Sequence, residues 1–360
     1  MTAKREGPDD VSRRSFLQTV TVAGAAVLTG GMLYGERLLA QAPPPGAKAA
    51  PRPGCIDVHY HYVPPVYLDA LPPADRLPPL KSWTPARALE DLDRGGTATA
   101  ILSVTTPGVS FGGPAANRAL ARTCNEYAAR MVADHGRRYG MFVALPLPDI
   151  DASLRELEYG LDTLKADGVG FFTSYDDKYL GHPQYAPVLE ELNRRQAVLY
   201  THPRACNFCS GLVPEVNDAT IEYGTDTTRT IASLLFSGAA GKYPDIRFIF
   251  SHAGGTMPFL IERFRNVPAD SPAIAARMKR DLMTELQRFY YDTAQSSNPI
   301  SMAALTKVVP TSQVVFGTDF PFRTTRLHVD NLAQCGFTSQ ELRAIYRENA
   351  LRLLPKYKEA

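Results

Sequence analysis

The sequence predicts an α/β fold, a (β/α)8 TIM barrel with a site at the C-terminal ends of its strands, over residues 55–360. Two observations predict it. From residue 55 onward, short apolar runs alternate with longer amphipathic ones, the pattern that pairs strands in parallel through crossover helices. The alternation passes through eight strand-like and eight helix-like segments, which suits a closed barrel better than an open sheet. An open doubly wound sheet would carry a Gly-rich phosphate turn after its first strand, and that turn is missing here.

The first strand, 55–59, opens with the period-2 run Cys55-Ile56-Asp57-Val58. Thr84 is a good N-cap with proline at the first helical position, so the first helix is expected over 85–94. The remaining strands are expected at 97–103, 139–145, 168–173, 197–201, 246–251, 288–292 and 313–318. The helical patterns between them cover 115–134, 151–166, 183–195, 226–240, 256–265 and 298–308, with 339–354 after the last strand. Two connections exceed ordinary loop lengths. Residues 62–83 carry six prolines and are expected to form a lid on the catalytic face; residues 203–225 could form a second.

The 360 residues are 44% hydrophobic and 21% charged, with a formal net charge of +2. No long run of one sign exists, so phosphate tracking along nucleic acid has little support. The first 50 residues differ from the rest. Ser12-Arg13-Arg14-Ser15-Phe16-Leu17-Gln18 leads into an uncharged, mildly apolar stretch to Gly35. Paired arginines before a weak apolar region read as a twin-arginine export signal over 1–42, with a Pro/Ala-rich linker over 43–54. A membrane anchor would be rich in Leu and Ile over about 20 residues, whereas this stretch holds Gly24, Gly30 and Gly31. The expected partner is the twin-arginine machinery and the expected destination the periplasm. Five cysteines form no dense disulfide framework. Cys206 and Cys209 have C-x-x-C spacing without a second such pair, and read as ordinary loop cysteines, a local disulfide after export being the alternative.

The chemistry gathers at strand ends. His59 and His61 lie two apart on one strand and face the same side. His202, His252 and Asp319 each follow a strand-like apolar run, on strands 5, 6 and 8. The active sites of such barrels gather at the carboxyl-terminal rim, so five groups arriving there point to one metal site with acid–base chemistry. His135, His182 and His328 read as structural or loop residues.

At these residues the chain resembles the amidohydrolase superfamily, and within it the branch around aminocarboxymuconate-semialdehyde decarboxylase. The resemblance rests on Asp57-x-His59-x-His61, Trp83-x-Pro85, the run from Asp226 to Gly238, His252-Ala253-Gly254-Gly255, Gly317-Thr318-Asp319-Phe320-Pro321-Phe322 and Asn349-Ala350. It implies one divalent ion, zinc first and manganese as alternative, held by His59, His61, His202 and Asp319, with His252 beside it as the catalytic histidine. Three imidazoles and a carboxylate suit Zn²⁺ independently. Relatives with two metals bridge them by a modified lysine ending strand 4, where this chain has no lysine before Lys178. The implied reaction is nonoxidative decarboxylation of a hydroxylated aromatic or related unsaturated acid, with Asp319 or His252 as proton donor and no organic cofactor. Hydrolysis of an ester, lactone or C–C bond at the same metal is the alternative, and both occur in the branch. A metal-binding protein without catalysis would have no use for His252. Arg204, Phe322 and Trp83 are the candidate substrate contacts. Relatives are commonly dimers, which makes a homodimer the expected assembly.

Overall fold

The computed structural model describes residues 54–358. The predicted export signal, and all but Gly54 of the predicted linker, lie outside the described residues. Eight strands form one sheet: β1 Cys55–Tyr62, β2 Thr97–Val104, β3 Tyr139–Ala144, β4 Gly168–Phe172, β5 Val198–His202, β6 Arg247–Phe250, β7 Tyr290–Asp292 and β8 Val314–Val315. Each pairs in parallel with the next in chain order. The sheet closes on itself. Val58 N–H donates to Phe316 O (3.0 Å), Asp319 N–H to His59 O (2.8 Å) and His61 N–H to Phe320 O (2.8 Å). The extended chain beyond β8 therefore completes the barrel and carries Asp319 alongside β1.

The helices that follow these strands are α1 Pro85–Gly95, α2 Pro114–His135, α3 Ile150–Glu158, α4 Ala186–Arg194, α5 Glu222–Phe236, α6 Ile261–Asp270, α7 Pro299–Val308 and α8 Thr325–Leu332. Thr84 caps α1 as predicted, its hydroxyl accepting from Arg87 N–H at 3.2 Å with Pro85 at the first position. Alternate residues of the strands fill the barrel interior: Ile56, Val58, Ile101, Phe142, Val198, Tyr200, Ile249 and Val315 are all buried in one cluster. The outward-facing set, among them Val143, Leu199, Phe248 and Phe250, packs in a second cluster with residues of the helices.

The predicted final helix has a different place from the one expected. Residues 339–353 do form a helical run, with a π-helical turn at Ala344–Glu348. Its end joins the interior cluster through Ala350, Leu353, Leu354 and Tyr357, and Asn349 Nδ2 donates to the carbonyls of Thr311 and Val314. It plugs the amino-terminal end of the barrel. The element that packs against α1 is α8, which the sequence reading missed because it is short and largely polar. Asp91 of α1 accepts from both the backbone N–H (3.2 Å) and the hydroxyl (2.6 Å) of Thr325.

Residues 63–83 are ordered, with helices at Pro65–Ala70 and Pro78–Lys81 and a 3₁₀ turn at Pro73–Asp75. Each begins on a proline, which loses no helical hydrogen bond there. Tyr67 is fully buried and donates to Thr105 O at 2.7 Å, fastening this insertion to the end of β2. In the connection after β5, Cys206 and Cys209 are joined in a disulfide, which corrects their reading as ordinary loop cysteines.

Candidate active site

The barrel brings His59, His61, His202 and Asp319 to one point. A nitrogen or oxygen from each lies within 4.8 Å of the others, and all four side chains are buried. His59 Nε2 is 3.2 Å from His61 Nε2 and 3.3 Å from Asp319 Oδ1; His61 Nε2 is 3.0 Å from Asp319 Oδ1. Ligands about 2.0–2.1 Å from a tetrahedral ion stand about 3.3 Å apart, so these spacings match that arrangement.

The partners of the other ring nitrogens explain why Nε2 faces inward each time. His59 Nδ1 is 2.8 Å from Asp292 Oδ2. His61 Nδ1 lies 3.1 Å from Ser103 Oγ and 3.3 Å from Ser103 O. His202 Nδ1 is 2.7 Å from Pro203 O. A carboxylate or carbonyl on Nδ1 keeps the proton there and leaves Nε2 as a lone pair. Three lone pairs and a carboxylate oxygen then point at one another in a buried space. Among the described residues, His202 Nε2 and Asp319 Oδ1 have no hydrogen-bond partner. A cation among them would relieve the repulsion of these lone pairs, and the donors fit a divalent ion.

Charge balance agrees. Burial works against protonating His59, but Asp292 and Asp319 outweigh it and raise its pKa to about 10. The site thus favours a positive charge against these carboxylates, a role that a divalent ion would fill in the proton's place. Burial, followed by the neighbouring histidines, drives His202 well below its usual range; burial likewise lowers His61. Both are thereby held neutral, the state a metal ligand would need. Burial alone would raise Asp319, yet the surrounding histidines, His59 first, hold it well below the carboxylate range.

The expected common face of His59 and His61 holds, although β1 shifts register between Asp57 and Tyr60. Asp57 manages that irregularity. Its Oδ1 accepts His59 N–H at 3.0 Å and its Oδ2 accepts the Thr318 hydroxyl at 2.6 Å, tying β1 to the residue before Asp319.

His252 stands beside this group. Its ring centroid is 5.1 Å from that of His59, its Nε2 is 3.7 Å from Asp319 Oδ2, and neither ring nitrogen has a hydrogen-bond partner among the described residues. The backbone turns sharply to put it there: His252 and Ala253 have φ of 55° and 57°. Such residues cost about 1–3 kcal/mol each and cluster at functional sites. At Gly255, φ +67°, a Cβ would collide with Gly224 O of α5, so only glycine allows this approach.

Besides Ser103 at His61, two members of the site escaped the sequence reading. Asp292, ending β7, holds His59 through Oδ2 and accepts His252 N–H through Oδ1 at 2.9 Å. It orients a ligand and the catalytic candidate at once. Gln295 Nε2 donates to Asp319 Oδ2 at 2.9 Å, leaving Oδ1 for the ion. Asp292 was discoverable: Tyr290-Tyr291-Asp292 is an apolar run ending in an acid, as before Asp319. Replacing Asp292 by Asn is expected to weaken metal affinity by about 10–100-fold, as loss of an outer-shell carboxylate does. Competition with a chromophoric chelator measures this, and unchanged affinity would show that Asp292 does not set the basicity of His59.

The substrate candidates fall into different places. Phe322 meets the His61 ring edge-on, centroids 6.2 Å apart. Arg204 is half-buried two residues beyond His202, and its guanidinium makes no hydrogen bond or ion pair among the described residues. Trp83 is packed under the 63–83 insertion in a cluster with Tyr67, Leu80 and Phe320, and no ring contact or hydrogen bond joins it to the histidines. Arg76, also in that insertion, is bonded to the carbonyls of Leu71 and Asp69. Lys178 is exposed in a hairpin, Ser174–Tyr175 with Lys178–Tyr179, beyond β4. His328 is buried against Ser297 Oγ (2.6 Å), and burial pushes it down to about 4, consistent with a structural role.

A barrel whose carboxyl-terminal rim carries this donor set is the architecture of the amidohydrolases. The Amidohydrolase family model matches residues 56–356, and the chain belongs to that family. It is 36% identical over 323 residues to "Decarboxylase yanB" of Aspergillus niger, covering 84% of this chain and 88% of that one. It is 37% identical over 324 residues to "6-methylsalicylic acid decarboxylase acuB" of Aspergillus aculeatus, covering 85% and 97%. The solved dihydroxybenzoic acid decarboxylase of Polaromonas sp. JS666, with bound manganese and 2-nitroresorcinol, superposes with a TM-score of 0.72 at 23% identity, over 84% of this chain and 97% of that one. At that identity the likeness speaks for the fold.

Proposed function

We propose that this protein is a metal-dependent nonoxidative decarboxylase of a hydroxylated aromatic carboxylic acid. One observation carries the reading: a buried donor set fit for one divalent ion has, beside it, a histidine whose ring nitrogens have no hydrogen-bond partner among the described residues. The relatives named as decarboxylases, one of them for 6-methylsalicylic acid, support the reaction and the substrate class. His59, His61, His202 and Asp319 would hold the ion, zinc or manganese. When bound, it supplies a Lewis acid for the carboxylate and a neighbouring phenolic oxygen. His252 holds a proton at Nε2, within reach of Asp319 Oδ2, and delivers it to the ring carbon that bears the carboxylate. The C–C bond to CO2 then breaks, its electron pair restores aromaticity, and His252 is reprotonated from solvent. Phe322 walls the ring beside His61, and Arg204 offers a cation to a second anionic oxygen.

The test is product analysis. 6-Methylsalicylate or 2,6-dihydroxybenzoate is expected to release CO2 without an organic cofactor, and chelation to stop it. In deuterated water, one deuterium should replace the lost carboxyl group. A product that keeps every carbon and gains water would make the protein a hydrolase instead.

We further propose export by the twin-arginine route, on the strength of Arg13 and Arg14 before a weak apolar stretch. That route carries folded proteins, which suits a barrel that acquires its metal before transit. Arg13→Lys with Arg14→Lys is expected to leave folded, metal-loaded protein in the cytoplasm. Native protein fractionating in the cytosol with residues 1–50 intact would remove the proposal.

A further inference from the structure

We propose that the Cys206–Cys209 disulfide positions Arg204, so that the connection after β5 presents its substrate cation only while the two sulfurs are bonded. The inference rests on the reading of Arg204 as a substrate contact.

The guanidinium of Arg204 has no partner of its own among the described residues, so its direction depends on how the backbone around it is held. Both sides of that backbone are tied to α5. On one side, Arg204 N–H donates to Thr173 Oγ1 at 3.3 Å, and the Thr173 hydroxyl donates to Asp226. Asp226 is fully buried and also accepts from Tyr179 O–H at 2.6 Å. On the other side, two residues on, the disulfide is packed against Arg229, whose Nη1 lies 3.3 Å from both sulfurs. Arg229 stands three residues after Asp226 and shares that face of α5. Its charge is 3.8 Å from Asp226 and 3.6 Å from Glu222.

The disulfide is the covalent part of this clamp, and it is buried although the chain just after it is not. Cys206 and Cys209 are 1% and 4% exposed, while Phe208 between them is 62% exposed and residues 210–217 are exposed throughout. Two unbonded thiols need more room than a bonded pair, and a packed site does not give it without moving chain. With the covalent tie broken, the backbone of Arg204 keeps, of these two ties, only the one on its other side, through Thr173 Oγ1. Glu222 lies close enough to the two sulfurs to suggest a cation site. The guanidinium of Arg229 already occupies that position, so a second cation would be repelled.

The experiment uses the metal-loaded enzyme and the double variant Cys206→Ser/Cys209→Ser. A water-soluble phosphine reduces the bond: the sulfurs take up two electrons and two protons, and the phosphine becomes its oxide with oxygen from water. A gain of two mass units verifies reduction, and elemental analysis verifies retained metal. We expect KM for a hydroxybenzoate to rise about tenfold or more in both forms, the loss of one charge-assisted hydrogen bond, with kcat held within about twofold. Arg204→Gln should raise KM as much, and adding the serine pair to it should change nothing further. If Arg204→Gln raises KM but reduction and the serine pair do not, the disulfide does not position Arg204. A fall in kcat at constant KM would make it a general support of the fold, which also overturns the proposal. If Arg204→Gln itself leaves KM unchanged, Arg204 is no substrate contact, and the proposal falls with that reading while CO2 release still stands.

Discussion

Replacing His252 by Asn is expected to leave a folded, metal-loaded protein whose kcat has fallen by about 10²–10⁴-fold, the range of a lost general acid. The geometry allows a clean substitution. His252 is anchored by its backbone, through the N–H to Asp292 Oδ1 at 2.9 Å, and not by its ring. Its φ of 55° is one that asparagine adopts more readily than most residues, so no strain is added. The imidazole touches the ligand group only at its edge, 5.1 Å from His59 and 5.8 Å from His202 between centroids. If its proton is used only in the transition state, KM should stay near that of the parent while kcat falls. Steady-state kinetics with elemental analysis decide the matter. A variant that purifies without metal would make His252 a ligand, and one with full turnover would pass the proton to Asp319.

The second large effect is expected at His202. Its substitution by Ala should abolish measurable CO2 release and strip most of the metal, a greater loss than the roughly 10–100-fold that an outer-shell partner costs. His202 ends β5 with Nδ1 on Pro203 O and an unpartnered, buried Nε2, so removing the ring deletes one of four donors and adds no new bond. Metal binding to the native state alone raises stability by mass action. Chelation should therefore lower the melting temperature of the parent and leave that of His202→Ala almost unchanged. Elemental analysis should find about one ion per chain in the parent. Two tightly held ions would overturn the proposal of a mononuclear site, which rests in part on Lys178 being exposed beyond β4 and so not placed to bridge a second ion.

Strand ends were legible because a barrel converts position along the chain into position in space. Once His59, His61, His202, His252 and Asp319 are each seen to close an apolar run, the closed sheet leaves them one rim to share. The outer members were harder. Ser103 and Gln295 are ordinary polar residues whose roles exist only across strands, at His61 and Asp319. Asp292 closes a strand that the sequence does predict, but its two bonds, to the His59 ring and the His252 N–H, exist only across strands. α8 was lost for a related reason: Thr325–Leu332 is held by Asp91 across 234 positions of sequence, and its own pattern carries little.

By itself, then, the sequence determined the barrel and the arrival of His59, His61, His202, His252 and Asp319 at one rim, since two-residue alternation and strand order need no knowledge of distant partners. Tertiary structure alone decided which ring nitrogen each histidine presents, because the tautomer follows from Asp292, Ser103 and Pro203, and two of these come from other strands. It also decided that residues 339–353 plug the barrel floor and that Cys206 is bonded to Cys209. Helix placement depends on which apolar surface is left uncovered, and a disulfide on whether two Cβ atoms meet. Neither is written in local spacing.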